Sequence, residues 1–207
     1  MSLLETLRTN LSEVKNRRAQ HRMLAQRNPG FRAAMRADIP AALKYRGERS
    51  EIRDKWDLAL QGVRLAWVSD AFLAQAVYRG RVAMRRHGVP VLPAVAHRVS
   101  MVLSDVCIGE PVVMAPGVYI PHGQVVVDGL TEVGSDVILF PWTTIGLRSG
   151  NFQGPKVGDG VRLGTGARVL GPVQVGADVS VGANAVVVSD VPDGVTVVGV
   201  PARKVTS

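Results

Sequence analysis

Aliphatic residues recur every six positions through the second half of the chain. Six positions in this register are all aliphatic, and four of the residues that follow them are glycine: Val157, Leu163, Val169, Val175, Val181 and Val187, with Gly158, Gly164, Gly176 and Gly182. About half of ordinary residues are apolar and about 7% are glycine, so six aliphatic positions in register with four following glycines would arise by chance with a probability on the order of one in 10⁵. A period of six fits neither a helix nor a half-buried strand, and it indicates a parallel β-helix.

The same register extends backward and slips once. It holds at Ile145, Leu139, Val133 and Val127, and after a slip of one residue it resumes at Ile120, Met114 and Ile108. One aliphatic side chain per hexad then points inward, and stacked coils stabilise one another because no single coil buries its apolar side. The alternative is an ordinary all-β domain with regular turns.

The first half of the chain has helical spacing instead. We predict an amphipathic helix over residues 2–27, which ends at Asn28-Pro29-Gly30, and a short helix from Phe31. Three further helices are predicted. The first covers residues 51–67, the second begins at a cap formed by Ser69 or Asp70 and ends at the "RRHGVP" segment, and the third covers residues 91–103. Composition changes near Ser104. We therefore predict an α+β protein: an N-terminal α-helical domain over 1–103 that serves oligomerisation, followed by a β-helix of hexapeptide repeats over 104–207.

One segment interrupts the repeat. Between Ile145-Gly146 and Val157-Gly158 the chain reads "LRSGNFQGPK", which is poor in aliphatic residues. In a solenoid such an insertion becomes a loop on one face, often the binding face. We predict that the loop over residues 147–156 selects a ligand, the alternative being a tolerated surface insertion.

Charge and cysteine content narrow the function classes. The formal net charge is +8 and the pI is about 10.4. The excess of basic over acidic residues lies before residue 100, however, where no nucleic-acid motif accompanies it, and aromatic residues make up only 5% of the chain. We therefore expect no nucleic-acid partner, whereas a basic surface suits a phosphorylated cofactor. The single cysteine, Cys107, excludes an intrachain disulfide and suits a reducing compartment. No signal peptide or membrane-spanning run is present, so we expect a cytoplasmic protein without a membrane partner.

Histidine is the first candidate for proton transfer, because its ordinary pKa lies nearest neutrality. His21, His87 and His97 lie in predicted helices or a helix-ending turn. Only His122 lies in the repeats, at the slip, where a bulge can re-aim a side chain. The histidines are far apart in sequence and there is one cysteine, so we expect no metal.

Three segments carry a resemblance to a known family. "FRAAMRADIPAAL", "YIPHGQVVVDG" and the stretch from "TTIG" through "GPKVGDGVRLGTGARVLG" to "VGVPARKV" are similar to the serine acetyltransferases, which are hexapeptide acyltransferases. The resemblance covers about residues 31–205. It implies a left-handed β-helix, acetyl-CoA as cosubstrate, His122 as general base, and a homotrimer or dimer of trimers with each active site between two subunits.

The resemblance also suggests ligand-binding positions. Acetyl-CoA is expected along the coil edges, and the basic end is either a site for its phosphates or simply a solvated terminus. The predicted cofactor-binding residues are Gly146, Gly164, Thr165, Gly166, Ala183, Arg203 and Lys204; the predicted acceptor-binding residues are Trp142, Arg148 and Gln153.

Three departures from the family pattern matter. The family's acidic residue that orients the catalytic histidine falls at Cys107, so Asp105, Asp128, Glu132 or the backbone must take that role. The loop lacks the Arg-His pair that holds the amino acid's carboxylate, and Arg148 is the local cation. The tail that docks into cysteine synthase is also missing, so we expect no such complex.

We therefore predict an acetyl-CoA-dependent O-acetyltransferase that acts on L-serine or a similar small acceptor. The alternatives are a sugar, a polysaccharide precursor or a specialised metabolite as acceptor, and a trimeric scaffold without catalysis.

Overall fold

The computed structural model describes residues 26–149, 151 and 153–205, together with Asn16, Ala19 and Met23. The first predicted helix, over residues 2–27, lies almost wholly outside these residues. The other predicted helices are confirmed: α1 (Phe31–Tyr45), α2 (Lys55–Val68), α3 (Asp70–Arg86) and α4 (Leu92–Ser104). None of the helices in the described part of the chain is long and apolar enough to cross a bilayer.

Side-chain caps decide where two helices begin. The Asp54 carboxylate accepts hydrogen bonds from the N–H groups of Trp56 and Asp57 at 2.7 and 2.9 Å, so α2 begins at Lys55 and not at the predicted residue 51. Ser69 accepts a hydrogen bond from the N–H of Phe72 at 3.3 Å and caps α3, so of the two predicted caps, Ser69 and Asp70, the structure has Ser69.

After α4 the chain winds through three sheets, and each of the three middle coils adds one strand to each sheet. Sheet I contains β1 (Val106–Ile108), β3 (Val125–Val127), β6 (Thr144–Gly146), β9 (Arg168–Leu170) and β12 (Val186–Val187). Sheet II contains β2 (Val113–Met114), β4 (Leu130–Val133), β7 (Gln153–Val157) and β10 (Gln174–Val175). Sheet III contains β5 (Ile138–Leu139), β8 (Arg162–Leu163), β11 (Ser180–Val181), β13 (Thr196–Val198) and β14 (Arg203–Lys204). All pairs are parallel except β13 with β14, so the β-helix is confirmed.

The register of the sheets locates both irregularities of the repeat. A regular coil advances 18 residues, as from Val126 to Thr144. The first coil advances 19 residues in all three sheets, which places the extra residue between Tyr119 and Val125. The coil that carries the loop advances 24 residues, from Thr144 to Arg168. Five of the six additional residues fall between β6 and Gln153, and the sixth is a bulge within β7, between Gln153 and Lys156.

The hexad positions form the core of the β-helix. All thirteen aliphatic residues of the predicted register are buried, with exposed fractions of 4% or less: Ile108, Met114, Ile120, Val127, Val133, Leu139, Ile145, Val157, Leu163, Val169, Val175, Val181 and Val187. The predicted inward direction of these side chains is therefore confirmed.

Helix α3 covers the first coil, whose strand edge would otherwise expose unpaired backbone carbonyls. Arg79 donates to the carbonyls of Met114 and Ala115 at 2.6 and 2.7 Å and forms a buried ion pair with Asp38 of α1 at 2.9 Å. Three other α3 side chains donate to carbonyls of the same coil: Gln75 to Val118, Tyr78 to Val112, and Arg81 to Ile108 and Gly109. These bonds hold the helices against the β-helix.

Candidate active site

The corners between sheets III and I stack into one edge of the β-helix, which we call the histidine edge (His122, Trp142, Thr165 and Ala183). Backbone hydrogen bonds link successive corners, from Gly166 to the Pro141 carbonyl at 2.9 Å and from Asn184 to the Thr165 carbonyl at 2.8 Å. Stacked strands lie about 4.8 Å apart, so the edge presents a straight row of exposed corner residues.

His122 lies where the register gains its extra residue. The bulge places Gln124 at φ +63°, and its N–H donates to the Asp105 carbonyl at 2.7 Å. Gly123 is required, because an added Cβ would collide with the Ser104 carbonyl. The His122 ring is exposed and makes no hydrogen bond to any residue in the described part of the chain. The bulge therefore presents an unengaged imidazole at the edge.

An open groove of about 550 Å³ runs over sheet I beside the histidine edge. Its lining brings the charged residues Asp105 and Arg168 near Cys107, Gln124 and Trp142. Burial, assisted by the Asp128 carboxylate, raises the pKa of the Cys107 thiol, so this side chain stays uncharged near neutral pH. Cys107 therefore supplies no negative charge where the family pattern has an acidic residue.

The opposite edge of sheet I, between sheets I and II, carries the loop, and we call it the loop edge (Asp128, Gly146, Arg148, Gln153 and Gly171). About 10 Å of strand separates the two edges within a coil. Asp128 lies across β3 from His122, so within one protomer it is not in position to orient that ring.

Glu132 is occupied elsewhere. It lies in β4 of sheet II and accepts two hydrogen bonds from Arg27, at 2.7 and 3.1 Å, with Lys156 3.9 Å away. A second open groove, of about 850 Å³, runs over sheet II and includes these three residues. Among the sequence-predicted site residues, only Glu132 lines it.

The predicted site residues thus divide between two edges. Trp142, predicted to bind the acceptor with the loop, lies on the histidine edge, whereas Gly146, predicted to bind acetyl-CoA, lies on the loop edge. The histidine edge also holds Asp105, Gly164, Thr165, Gly166 and Ala183, and Arg203 and Lys204 lie exposed in β14. In the described residues no three His, Cys, Asp or Glu side chains come together as metal ligands.

Sequence reasoning did not select Arg168 or Gly171. Arg168 precedes the inward-facing Val169 by one position, so strand alternation could have identified it as outward-facing. Gly171 matters through a contact with a different coil, which the sequence does not reveal.

The fold and the repeats define the chain as a hexapeptide-repeat acyltransferase with a left-handed β-helix: a model of the family described as bacterial transferase hexapeptide (six repeats) matches residues 154–189. The chain is 34% identical over 158 residues to a serine acetyltransferase of Helicobacter pylori, covering 74% of this chain and 88% of that one. It belongs to the serine acetyltransferase family. The reaction class predicted from the sequence, acetyl-CoA-dependent O-acetyl transfer, is confirmed, as is the left-handed fold.

Two further comparisons agree. The serine acetyltransferase of Mycobacterium tuberculosis is 40% identical over 133 residues, which span 62% of this chain and 58% of that protein. The structure of soybean serine acetyltransferase complexed with serine matches with a TM-score of 0.71 and 27% identity, covering 91% of this chain and 83% of that one.

Proposed function

We propose that the protein transfers the acetyl group of acetyl-CoA to the hydroxyl of L-serine, in active sites that form between neighbouring subunits of a trimer. One observation carries this proposal: in a member of the serine acetyltransferase family, His122 and the loop lie on opposite edges of the same sheet. Because acetyl-CoA is an intracellular thioester, we place the reaction in the cytoplasm.

His122 serves as the general base. Its exposed ring takes the proton from the serine hydroxyl as the oxygen attacks the thioester carbonyl. When the carbon–sulfur bond of the tetrahedral intermediate breaks, the imidazolium returns the proton to the CoA thiolate. Asp105 is the carboxylate of the same protomer that lies on the histidine edge, but no hydrogen bond joins it to the ring in the described residues.

Acetyl-CoA binds along the histidine edge. Thr165 and Ala183 are exposed there, and their backbone N–H groups make no hydrogen bond within the described residues, so they are available to the amide oxygens of the donor. Gly164 and Gly166 let the next coil stack closely, because an added Cβ would collide with the backbone at Ala183 or with the Asn184 side chain. The neighbouring subunit contributes Gly146 from its loop edge. Arg203 and Lys204, exposed in β14, attract the CoA phosphates.

Two apolar surfaces support a trimer. Val95, Val99 and Val102 form an exposed stripe on α4, and Val102 is 82% exposed. The second surface is on sheet I, where Met101 of α4 and the exposed Val126 line the groove beside the polar residues Thr144 and Arg168. Exposed apolar side chains grouped in this way are usually covered by another chain. A ring of three copies that buries sheet I places the loop edge of each copy beside the histidine edge of the next.

Acceptor choice can be measured by release of the CoA thiol from acetyl-CoA with a panel of acceptors. We expect L-serine to give a kcat/KM at least about tenfold above simple sugars, since a site built for polar groups discriminates strongly. The missing Arg-His pair favours the alternative, a sugar or specialised metabolite. A sugar turned over faster than L-serine would reject serine as the acceptor.

The shared site predicts complementation between two impaired variants. His122→Ala and Arg148→Met homotrimers each lack one side of every site. A mixture refolded together forms heterotrimers in which one interface unites an intact His122 with an intact Arg148. At an L-serine concentration well below the KM of Arg148→Met, the activity of the mixture therefore exceeds that of either variant alone. Light scattering should give three chains, or a multiple of three. A monomer at micromolar concentration, or a mixture no more active than its parts, would refute the shared site.

A further inference from the structure

We propose that Arg148 binds the carboxylate of the acceptor, and that Gly171 is the positioning residue that fixes Arg148 in place. This inference rests on L-serine as the acceptor. It gives the chain a cation at the root of the loop, in place of the Arg-His pair that its loop lacks.

The root of the loop is held by glycines of two neighbouring coils. Leu147 packs against Gly129 of the coil before, where any Cβ would collide with the leucine side chain. Arg148 packs against Gly171 of the coil after, where an added Cβ would lie 2.5 Å from the arginine Cδ. Gly171 also has φ +86°, which side-chain-bearing residues rarely adopt. The aliphatic stem of Arg148 therefore lies in a notch that only glycine provides.

The guanidinium of Arg148 is left for a ligand. Arg148 is exposed, and within the described residues its side chain forms no ion pair or hydrogen bond. Asp128, the carboxylate on the same edge, does not reach it, because Asp128 lies over Gly109 on the opposite side of its coil. The other cations nearby are engaged: Lys156 lies 3.9 Å from Glu132, and Arg168 donates to the Gly166 carbonyl at 3.3 Å.

Arginine with a fixed stem suits a carboxylate. Its planar fork donates two parallel hydrogen bonds to a carboxylate, and a stem held in the notch loses less rotamer freedom on binding. Because the loop edge of one subunit adjoins the histidine edge of the next in the proposed trimer, Arg148 would hold the amino acid beside the neighbour's His122.

The first test compares L-serine with L-serinamide, which keeps the ammonium and the hydroxyl but lacks the carboxylate. Arg148→Met should raise the KM for L-serine about 10- to 100-fold, the range of a charge-assisted hydrogen bond. The KM for L-serinamide, the KM for acetyl-CoA and kcat should stay within about twofold of wild type. Arg148→Lys, which keeps the charge without the fork, should fall between the two.

The second test is Gly171→Ala, which displaces Arg148 without removing it. We expect the KM for L-serine to rise at least about fivefold while kcat and the KM for acetyl-CoA are retained. Gly160→Ala is the matched control, because Gly160 also has a positive φ of +67° and its added Cβ would displace a side chain, Asp178, at the corner between sheets II and III. That control should share any loss of thermal stability and leave the KM for L-serine unchanged.

The outcomes separate this inference from the proposed function. If wild type acetylates L-serine and Arg148→Met keeps the wild-type preference for L-serine over L-serinamide, the carboxylate is bound elsewhere and the inference is overturned with the function intact. An equal rise in KM after Gly160→Ala and Gly171→Ala would overturn the role of Gly171. If wild type itself prefers an uncharged acceptor, both the proposed function and this inference are rejected.

Discussion

Replacing His122 by alanine should lower kcat by about 10²- to 10⁴-fold, the contribution of a positioned general base. A hydroxyl is a poor nucleophile until its proton has an acceptor, and His122 is the exposed imidazole on the histidine edge. The variant should fold and assemble like wild type, because the side chain forms no hydrogen bond within the described residues and the buried hexads are unchanged. Steady-state thiol release with L-serine measures the effect, and calorimetry should show that acetyl-CoA still binds.

His87→Ala is the matched control, since His87 is an exposed histidine at the end of α3; it should keep wild-type kcat. Asp105→Asn and Asp128→Asn would then show which carboxylate, from the same or the neighbouring subunit, supports His122, because removing the charge of that carboxylate should lower kcat. If His122→Ala kept more than a tenth of wild-type kcat, another residue would be the base.

Replacing Arg79 by methionine should lower the free energy of unfolding by about 3–5 kcal/mol, the cost of leaving one partner of a buried ion pair alone. Both side chains of the Arg79–Asp38 pair are about 1% exposed or less. In the variant, the Asp38 carboxylate keeps the hydrogen bond that it accepts from the Gly117 N–H at 2.7 Å but loses its cationic partner. The carbonyls of Met114 and Ala115 also lose the hydrogen bonds that Arg79 donates to them. Denaturant unfolding followed by circular dichroism measures the loss.

The loss should grow as pH rises above the ordinary pKa of an aspartate, about 4. Burial already raises the pKa of Asp38 above 3.8, and Arg79 is the main cause that lowers it. Without Arg79 the folded pKa rises further, so folding binds a proton and stability falls as pH rises through that pKa. Glu48→Gln, which breaks partly exposed ion pairs with Arg46 at 2.8 Å and Arg64 at 2.5 Å, should change stability by about 1 kcal/mol or less. A loss below about 1 kcal/mol for Arg79→Met would show that the pair is not needed to hold α3 on the first coil.

The β-helix was predictable because its information is local. A hexad places the same side chain inward in every coil, so Val127, Ile145 and Val169 could be assigned to the core from spacing alone. The slip at His122 and the insertion after Gly146 were likewise visible as departures from a regular period, and the sheet register locates both where the sequence predicts them.

The arrangement around the candidate site was less predictable, because it depends on which corner of the coil each residue occupies. Trp142 was predicted to bind the acceptor and Gly146 the donor, and their separation of four residues in sequence places the two at opposite edges of sheet I. Glu132 was a candidate partner for His122, and its ion pair with Arg27 depends on a contact 105 residues distant.

The sequence by itself determined the repeat, the inward aliphatic positions, the loop, the likeness to the serine acetyltransferases and the choice of His122, because these follow from spacing and residue type. Only the tertiary structure decided that α3 covers the first coil, that the buried Arg79–Asp38 pair joins helices to β-helix, and that Gly171 holds Arg148. Those contacts join residues from different coils or domains. Their energies come from burial and from close approach in three dimensions, and no period along the chain encodes them.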